Sequence, residues 1–166
     1  RAAAPACSIR KPYLPRAAYF SAIACEEAMT EFKQQIGEAA YKKLRVGFLS
    51  GNTIGGMDLS EHFYDDFLRD KSSGHLSDVV YHECGAITEL VAEKLNINRY
   101  VATLSTACSS SANAIMQGCR LIKHNKLDVV IAGGTDALCR FTLNGFNTLM
   151  IVDSEPCKPF DDNRKG

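Results

Sequence analysis

The chain has 166 residues, 46% of them hydrophobic and 23% charged, which fits one domain at about 100–200 residues each and excludes disorder as its main state. Nineteen Lys and Arg balance nineteen Asp and Glu, so no excess positive charge favours nucleic acid or an anionic membrane as a partner. Seven cysteines, an odd number with no Cys-x-x-Cys spacing, argue against a disulfide framework and predict mostly free thiols in a reducing cytoplasm.

The alanine-rich opening is broken by Pro5, Arg10, Lys11 and Pro12 before a signal-peptide core can form, and no later apolar run approaches the roughly 18 residues of a membrane span. Phe20, Ala24, Ala28 and Phe32 recur every four positions with Glu26, Glu27, Glu31 and Lys33 between them, predicting an amphipathic helix over 17–35. A short apolar run at 46–50 ends in Gly51, and Gly55 and Gly56 precede a charged stretch from Met57: strand, glycine turn, helix. A polar loop at 71–78 leads to Cys84, Ile87, Val91 and Leu95, whose spacing predicts a helix over 80–95. Residues 100–104 are a strand. The spacing of Ala112, Ile115, Cys119 and Ile122 gives another helix, and the continuous apolar run at 127–132, closed by Gly133 and Gly134, a strand covered on both faces. This alternation implies a parallel sheet with right-handed crossovers and ligand chemistry at the carboxyl ends of its strands.

The segment 100–122 carries the chemical signal: a strand delivers Cys108 into the start of a helix through a run of small residues, 105–111. Unpaired backbone N–H groups and the positive end of the helix dipole favour a thiolate and can receive an oxyanion there, and small neighbours let a thioester carbonyl reach the sulfur. The residues alone also permit a plainer reading, with Cys108 a small buried hydrophobe and the serines helix caps. The turn Gly51-Asn52-Thr53-Ile54-Gly55-Gly56 is not a phosphate loop, since Met57 and Asp58 stand where Lys and Ser or Thr are required; its glycines predict a tight turn or a close approach. His82-Glu83-Cys84 opens like a zinc helix, but Ala86 replaces the second histidine, so no metal is expected. His124 suits the carboxyl-end dipole of its helix, and His62 and His75 have no visible partner. A catalytic cysteine ordinarily needs a histidine. None of the four suits Cys108, which, with a first residue Arg1 and an ending at 161–166 that reads as a connection in mid-course, predicts part of a longer chain.

Four stretches resemble, in order and spacing, the successive signatures of β-ketoacyl-acyl carrier protein synthases. They are Ser-Thr-Ala-Cys-Ser-Ser-Ser at 105–111, Asp-Val-Val-Ile-Ala-Gly-Gly-Thr-Asp at 128–136, Gly145-Phe146, and Pro-Phe-Asp-Asp-Asn-Arg-Lys-Gly at 159–166. The resemblance covers about residues 46–166. It implies an α/β, thiolase-like fold of two similar halves layered α/β/α/β/α, with residues 1–166 forming most of the N-terminal half, its initial strand absent, around a mixed, mainly parallel sheet.

Carried over by position, the resemblance implies that Cys108 takes the acyl group from acyl carrier protein as a thioester and that its own backbone N–H is one oxyanion donor. Ile54, in the Ile-Gly-Gly turn, and Phe146, in Gly-Phe, stand where the family has residues bordering the acyl pocket. Two histidines, a lysine and a second oxyanion donor come, in the family, from the second half. No metal and no cofactor is implied. The implied partners are acyl carrier protein, in acyl and malonyl forms, and a second subunit pairing through strand 100–104, as a homodimer or as a heterodimer with a related subunit. The implied reaction is decarboxylative Claisen condensation, with fatty acid and polyketide branches both open. Two other classes stand beside it: a non-catalytic partner subunit, against which Cys108 argues because such subunits usually lack the cysteine, and an α/β cysteine hydrolase, which would need a placed histidine and would release free acid.

Overall fold

The computed structural model describes residues 14–165; the expectations on Pro5, Cys7, Arg10, Lys11 and Pro12 lie outside them. Helix α1 (Arg16–Ile36) starts after Pro15 and stops at Gly37, whose N–H reaches the Lys33 carbonyl. Its buried face is Ala17, Ala18, Ser21, Ala22, Cys25 and Met29. That corrects the predicted face: Ala24 and Ala28 face solvent, and Phe20 and Phe32 are half-buried. A spacing of four drifts around a helix of 3.6 residues per turn, and the small-residue face is the one that lets α1 lie close to its neighbours. Burial pushes the Cys25 thiol pKa up.

A single turn, α2 (Glu38–Tyr41), precedes β1 (Val46–Gly51), which is buried at all six positions. Helix α3 (Met57–Arg69) follows the glycine turn, and a short 3-10 turn (Leu76–Asp78) leads to α4 (Cys84–Lys94). Helix α4 begins four residues later than the spacing predicts because the 79–83 segment is spent passing against the glycine turn, where Gly56 N–H donates to the Tyr81 carbonyl at 2.7 Å. After β2 (Tyr100–Leu104), a 3-10 turn (Ala107–Ser109) enters α5 (Ser110–Lys123), followed by β3 (Val129–Gly134) and α6 (Arg140–Thr148).

The sheet order is β2-β1-β3, parallel in both pairings; the antiparallel part of the expected mixed sheet is not among the described strands. Val46, Phe48, Val101, Val129 and Ile131 join Ala22, Cys25, Met29 of α1 and Val91, Ala92 of α4 in one core cluster. Val130 and Ala132 face the other way, against Gly118 of α5. This is what right-handed crossovers require: the path from β1 out to β2 and the path back across to β3 run in opposite directions, so their helices cover opposite faces. Phe48, Leu49, Ile87 and Val91 are at most 2% exposed, each contributing about 1.5–3 kcal/mol by leaving water.

Helix α5 inverts the usual amphipathic arrangement. Its sheet face is small, Ser110, Ala114 and Gly118, while Ile115, Met116 and Ile122 are 52%, 44% and 45% exposed. An apolar residue set on both faces is the mark of a helix between two layers.

At the amino ends of the strands, Arg45 makes a two-pronged contact with Asp128, at 3.0 and 2.7 Å, and reaches the Asn125 carbonyl and side chain. Hydrogen bonds from the Arg45 side chain and backbone hold the Asp128 carboxyl down to about 2. The 127–128 pair is thereby used in the turn, with Leu127 5% exposed beneath Gly47, and β3 starts two residues later than its apolar run. The six described cysteines are unpaired thiols. Among the described residues no helix is long and apolar enough to cross a membrane, and no group of three acidic, His or Cys side chains could hold a metal ion.

Candidate active site

With β1 between β2 and β3, the strand order reverses at the carboxyl end of β1, where open parallel sheets place their ligands. Three segments leave the sheet there: the 52–56 turn after β1, the Cys108 turn after β2 and the 135–139 stretch after β3.

Asn52, 1% exposed, ties the three ends together. Its N–H donates to the Leu104 carbonyl at 3.3 Å, its side-chain amide donates to the Thr135 carbonyl at 2.6 Å, and its side-chain oxygen accepts from Gly55 N–H at 2.7 Å. Thr135 N–H in turn donates to the Gly51 carbonyl. The Asp136 carboxylate accepts the N–H groups of Thr53 (2.9 Å) and Ile54 (3.4 Å). Gly55, at φ +55°, has room for no side chain because the His82 carbonyl lies against it; the predicted tight turn and close approach are both present.

Helix α5 begins directly on these strand ends. A Cβ at Gly51 would lie 2.6 Å from Ser111 N and 2.8 Å from Ser110 C, and one at Gly134 would lie 2.6 Å from the Gly51 carbonyl oxygen. The small residues that the motif runs carry are therefore what lets a helix start sit on the sheet.

Cys108 is exposed, in the middle of the 3-10 turn Ala107–Ser109. Ala107, before it, has φ +52°, a left-handed conformation that costs an L-residue about 1–2 kcal/mol. Hydrogen bonds offset that cost. Ser110 Oγ donates to the Ala107 carbonyl at 2.7 Å and accepts Thr106 N–H at 2.8 Å; Thr53 Oγ1 reaches the same carbonyl at 3.4 Å and Ser110 Oγ at 3.3 Å. Ser109 Oγ donates to the Thr106 carbonyl at 2.8 Å. The result is a sharp strand-to-helix elbow presenting a thiol at the first turn of α5. Among the described residues Cys108 is exposed where the plain reading would bury it, and Ser110 acts on the elbow's own backbone.

Ile54, one of the two side chains expected beside the cysteine, is 8% exposed and packs with Ala17, Ala18, Ile87, Ala137 and Cys139; its neighbour Thr53 makes the contact with the elbow. Phe146 lies on α6, 40% exposed. That helix is fastened to α3: Glu61 accepts Arg140 N–H (3.0 Å) and Phe141 N–H (2.6 Å), and the Arg140 guanidinium meets Asp65. An open groove of about 890 Å³ between α3 and α6 is lined by Met57, Phe63, Tyr64, Leu68, Val80 and Phe141. No described hydrogen bond joins α6 to the elbow. His82 Nδ1 pairs with Ser60 Oγ at 2.9 Å, and His124 caps the far end of α5; among the described residues none of the four histidines bonds to the elbow. Asn52, Thr53, Ser110 and Asp136 were visible in sequence as parts of motifs, but nothing in their spacing assigned them these roles.

The family model for the β-ketoacyl synthase N-terminal domain matches residues 15–166. Nodulation protein E of Rhizobium meliloti (strain 1021) is 30% identical over 157 residues, covering 92% of this chain and 38% of the relative. The 3-oxoacyl-[acyl-carrier-protein] synthase 2 of Coxiella burnetii is 33% identical over 133 residues, covering 74% of this chain and 31% of that protein. Among solved structures, the ketosynthase ApeO in complex with its chain length factor ApeC, from Xenorhabdus doucetiae, is similar with a TM-score of 0.72 and 30% identity over 96% of this chain and 42% of that one. A β-ketoacyl synthase from Burkholderia phymatum, 19% identical, shares the fold with a TM-score of 0.74, covering 98% of this chain and 43% of its own. The chain thus spans between 31% and 43% of the length of these four proteins.

Proposed function

The chain belongs to the β-ketoacyl synthase family, and from that premise we propose that it carries the nucleophile half of a condensing enzyme, with Cys108 the residue acylated. The observation that carries the reading is the elbow: an exposed thiol on a strained turn, at a helix start, over the carboxyl ends of a parallel sheet.

The chemistry follows from that placement. The Cys108 thiolate attacks the thioester carbonyl of an acyl carrier protein, the carrier thiol leaves, and the acyl group remains on sulfur. Malonyl-acyl carrier protein loses carbon dioxide to give an enolate. Its carbon attacks the acyl-enzyme; the new carbon-carbon bond forms as the carbon-sulfur bond breaks and the Cys108 thiolate departs. Negative charge develops on oxygen at each step, and for the acyl carbonyl on Cys108 the backbone N–H of Cys108 is one fixed donor that needs no reorganisation. Ile54 and Phe146 border the acyl pocket in this reading, and the groups that promote decarboxylation come from outside residues 1–166. Fatty acid and polyketide products both remain compatible with it.

Acyl carrier protein is the substrate carrier in this proposal, and β2, at one edge of the sheet, pairs with a second subunit. The complexes named for similar ketosynthases, with a chain length factor in one and an acyl carrier protein in another, support a related subunit as that partner. Cys108 favours the acylated subunit over a non-catalytic one. The outward apolar face of α5 fits the interior of a two-halved molecule.

Incubating the full-length protein with an acyl-acyl carrier protein, followed by intact mass and peptide mapping, tests the reading. One acyl group on the Cys108 peptide, absent from Cys108→Ala, is the expected result. Acylation that persists in Cys108→Ala, or release of free acid with no carbon-carbon bond when malonyl-acyl carrier protein is added, would overturn it.

A further inference from the structure

Besides Thr53, the elbow is gripped by a residue further along its own helix. Asn113, half-buried one turn into α5, donates from its side-chain nitrogen to Thr106 Oγ1 at 2.8 Å and to Ser109 Oγ at 3.3 Å. Those two residues flank the Ala107–Cys108 pair, one the last before the strained residue and the other the first after the nucleophile. Ser109 Oγ is also within 3.0 Å of Thr106 Oγ1. Three side chains thus close a ring around the elbow, with Asn113 as the member anchored on the body of the helix.

We propose that Asn113 is a positioning residue for Cys108: its amide ties the strand side of the elbow to the helix side and so fixes where the thiol and its backbone N–H point. This rests on the reading of Cys108 as the nucleophile. The residue type matters. A primary amide offers two N–H donors in one plane, one for each hydroxyl oxygen, whereas the isosteric carboxylate of Asp can only accept and would add negative charge beside the thiol. The ring has work to do, because Ala107 sits in a left-handed conformation that the backbone would leave if the surrounding bonds let it. A displacement of about 1 Å at a reacting group is enough to cost about a hundredfold in rate, so a residue that never meets substrate can govern turnover through the elbow.

The test uses the full-length protein and two rates read at the Cys108 peptide by mass spectrometry: alkylation by iodoacetamide as a function of pH, and loading from an acyl-acyl carrier protein. Reading the peptide separates Cys108 from the exposed Cys119 and Cys157. Asn113→Ala and Thr106→Val should each slow loading about tenfold or more, with the KM for carrier protein unchanged and the alkylation midpoint moved to higher pH. Thr106→Ser keeps the acceptor oxygen and should behave as wild type. The double variant Asn113→Ala/Thr106→Val should cost less than the two singles combined, since both singles lose the same 2.8 Å bond. Asn113→Asp, of unchanged shape, serves if the alanine variant does not fold, and should raise the midpoint further. A merely structural asparagine would lower the melting temperature and leave the alkylation midpoint where it was; that result overturns the proposal, as does Thr106→Ser behaving like Thr106→Val. Failure of wild type to accept an acyl group would instead remove the synthase reading, while the alkylation midpoints, which need no carrier protein, would still decide the role of Asn113.

Discussion

Gly51→Ala puts the contact between α5 and the sheet to a quantitative test. The added Cβ would lie 2.6 Å from Ser111 N, 2.8 Å from Ser110 C and 3.0 Å from Ser111 Cα, all backbone atoms. Ordinary carbon contacts are about 3.5–4.0 Å, so the first turn of α5 must retreat by about 1 Å. No side chain can rotate away to absorb this. Overpacking of this kind costs about 1–3 kcal/mol, which lowers the melting temperature by about 2–4 °C per kcal/mol in a domain of this size and by less in a longer chain. The same retreat carries the elbow with it, and about 1 Å at Cys108, the proposed nucleophile, corresponds to about a hundredfold loss of acyl loading. A thermal melt and the loading rate, measured on the same full-length variant, check both numbers. A melting temperature within about 1 °C of wild type together with an unaltered loading rate would show that α5 does not rest on the end of β1 as described.

Asn52→Ala strips the partners from Gly55 N–H and the Thr135 carbonyl in a site that is 1% exposed, and buried polar groups left unpaired cost about 1–3 kcal/mol each. Urea denaturation should show a loss of about 2–4 kcal/mol, and a loss under about 0.5 kcal/mol would mean the strand ends are tied some other way. Asp128 is held at about 2 by Arg45, below the usual value of about 3.9. A depressed folded pKa stabilises above the unfolded value and that stability is lost as pH falls through the folded one, so the melting-temperature gap between wild type and Asp128→Asn should be full at about pH 5 and fade as pH approaches about 2. A gap that persists undiminished at the acid end would count against the pairing. Glu61→Ala frees the Arg140 and Phe141 N–H groups at the start of α6; a lost cap costs about 1 kcal/mol, and hydrogen exchange at residues 140–143 should quicken, whereas unchanged exchange there would show that Glu61 does not hold the helix.

The elements whose pattern is local were readable from the sequence. Residues 46–50 announced β1 because a strand buried at every position must be built of apolar and small residues, and Cys108 announced itself through the small residues a crowded helix start needs. The face of α1 was not readable. Ala17, Ala18, Ser21 and Ala22 gain their place from a close approach to α4 and β1 that no periodicity within α1 encodes, and the eye goes to Phe20 and Phe32 instead. Helix α6 went unassigned because its apolar residues, Phe141, Leu143 and Phe146, are exposed and its start depends on a carboxylate from α3, 79 residues earlier. Within the site, Thr53, Asp136 and Asn113 act by hydrogen bonds that span turns or distant segments, so their roles became visible only when those segments met.

The pairing of β1 has a consequence for how the molecule reaches its native state. Its partner β3 is joined through contacts such as that of Asn52 with Thr135, separated by 83 positions. The helices can flicker into existence early, but β1 gains its partners only as the loops to β2, 53 positions away, and to β3, 83 positions away, close, and the longer closure costs more and comes later, which slows folding. Gly51 and Gly134, the two strand ends on which the elbow rests, come together only in that last event. Pairing of β3 and assembly of the elbow are therefore one step, and, with Cys108 as the proposed nucleophile, a substitution that delays β3 would leave the thiol chemically intact and unable to load.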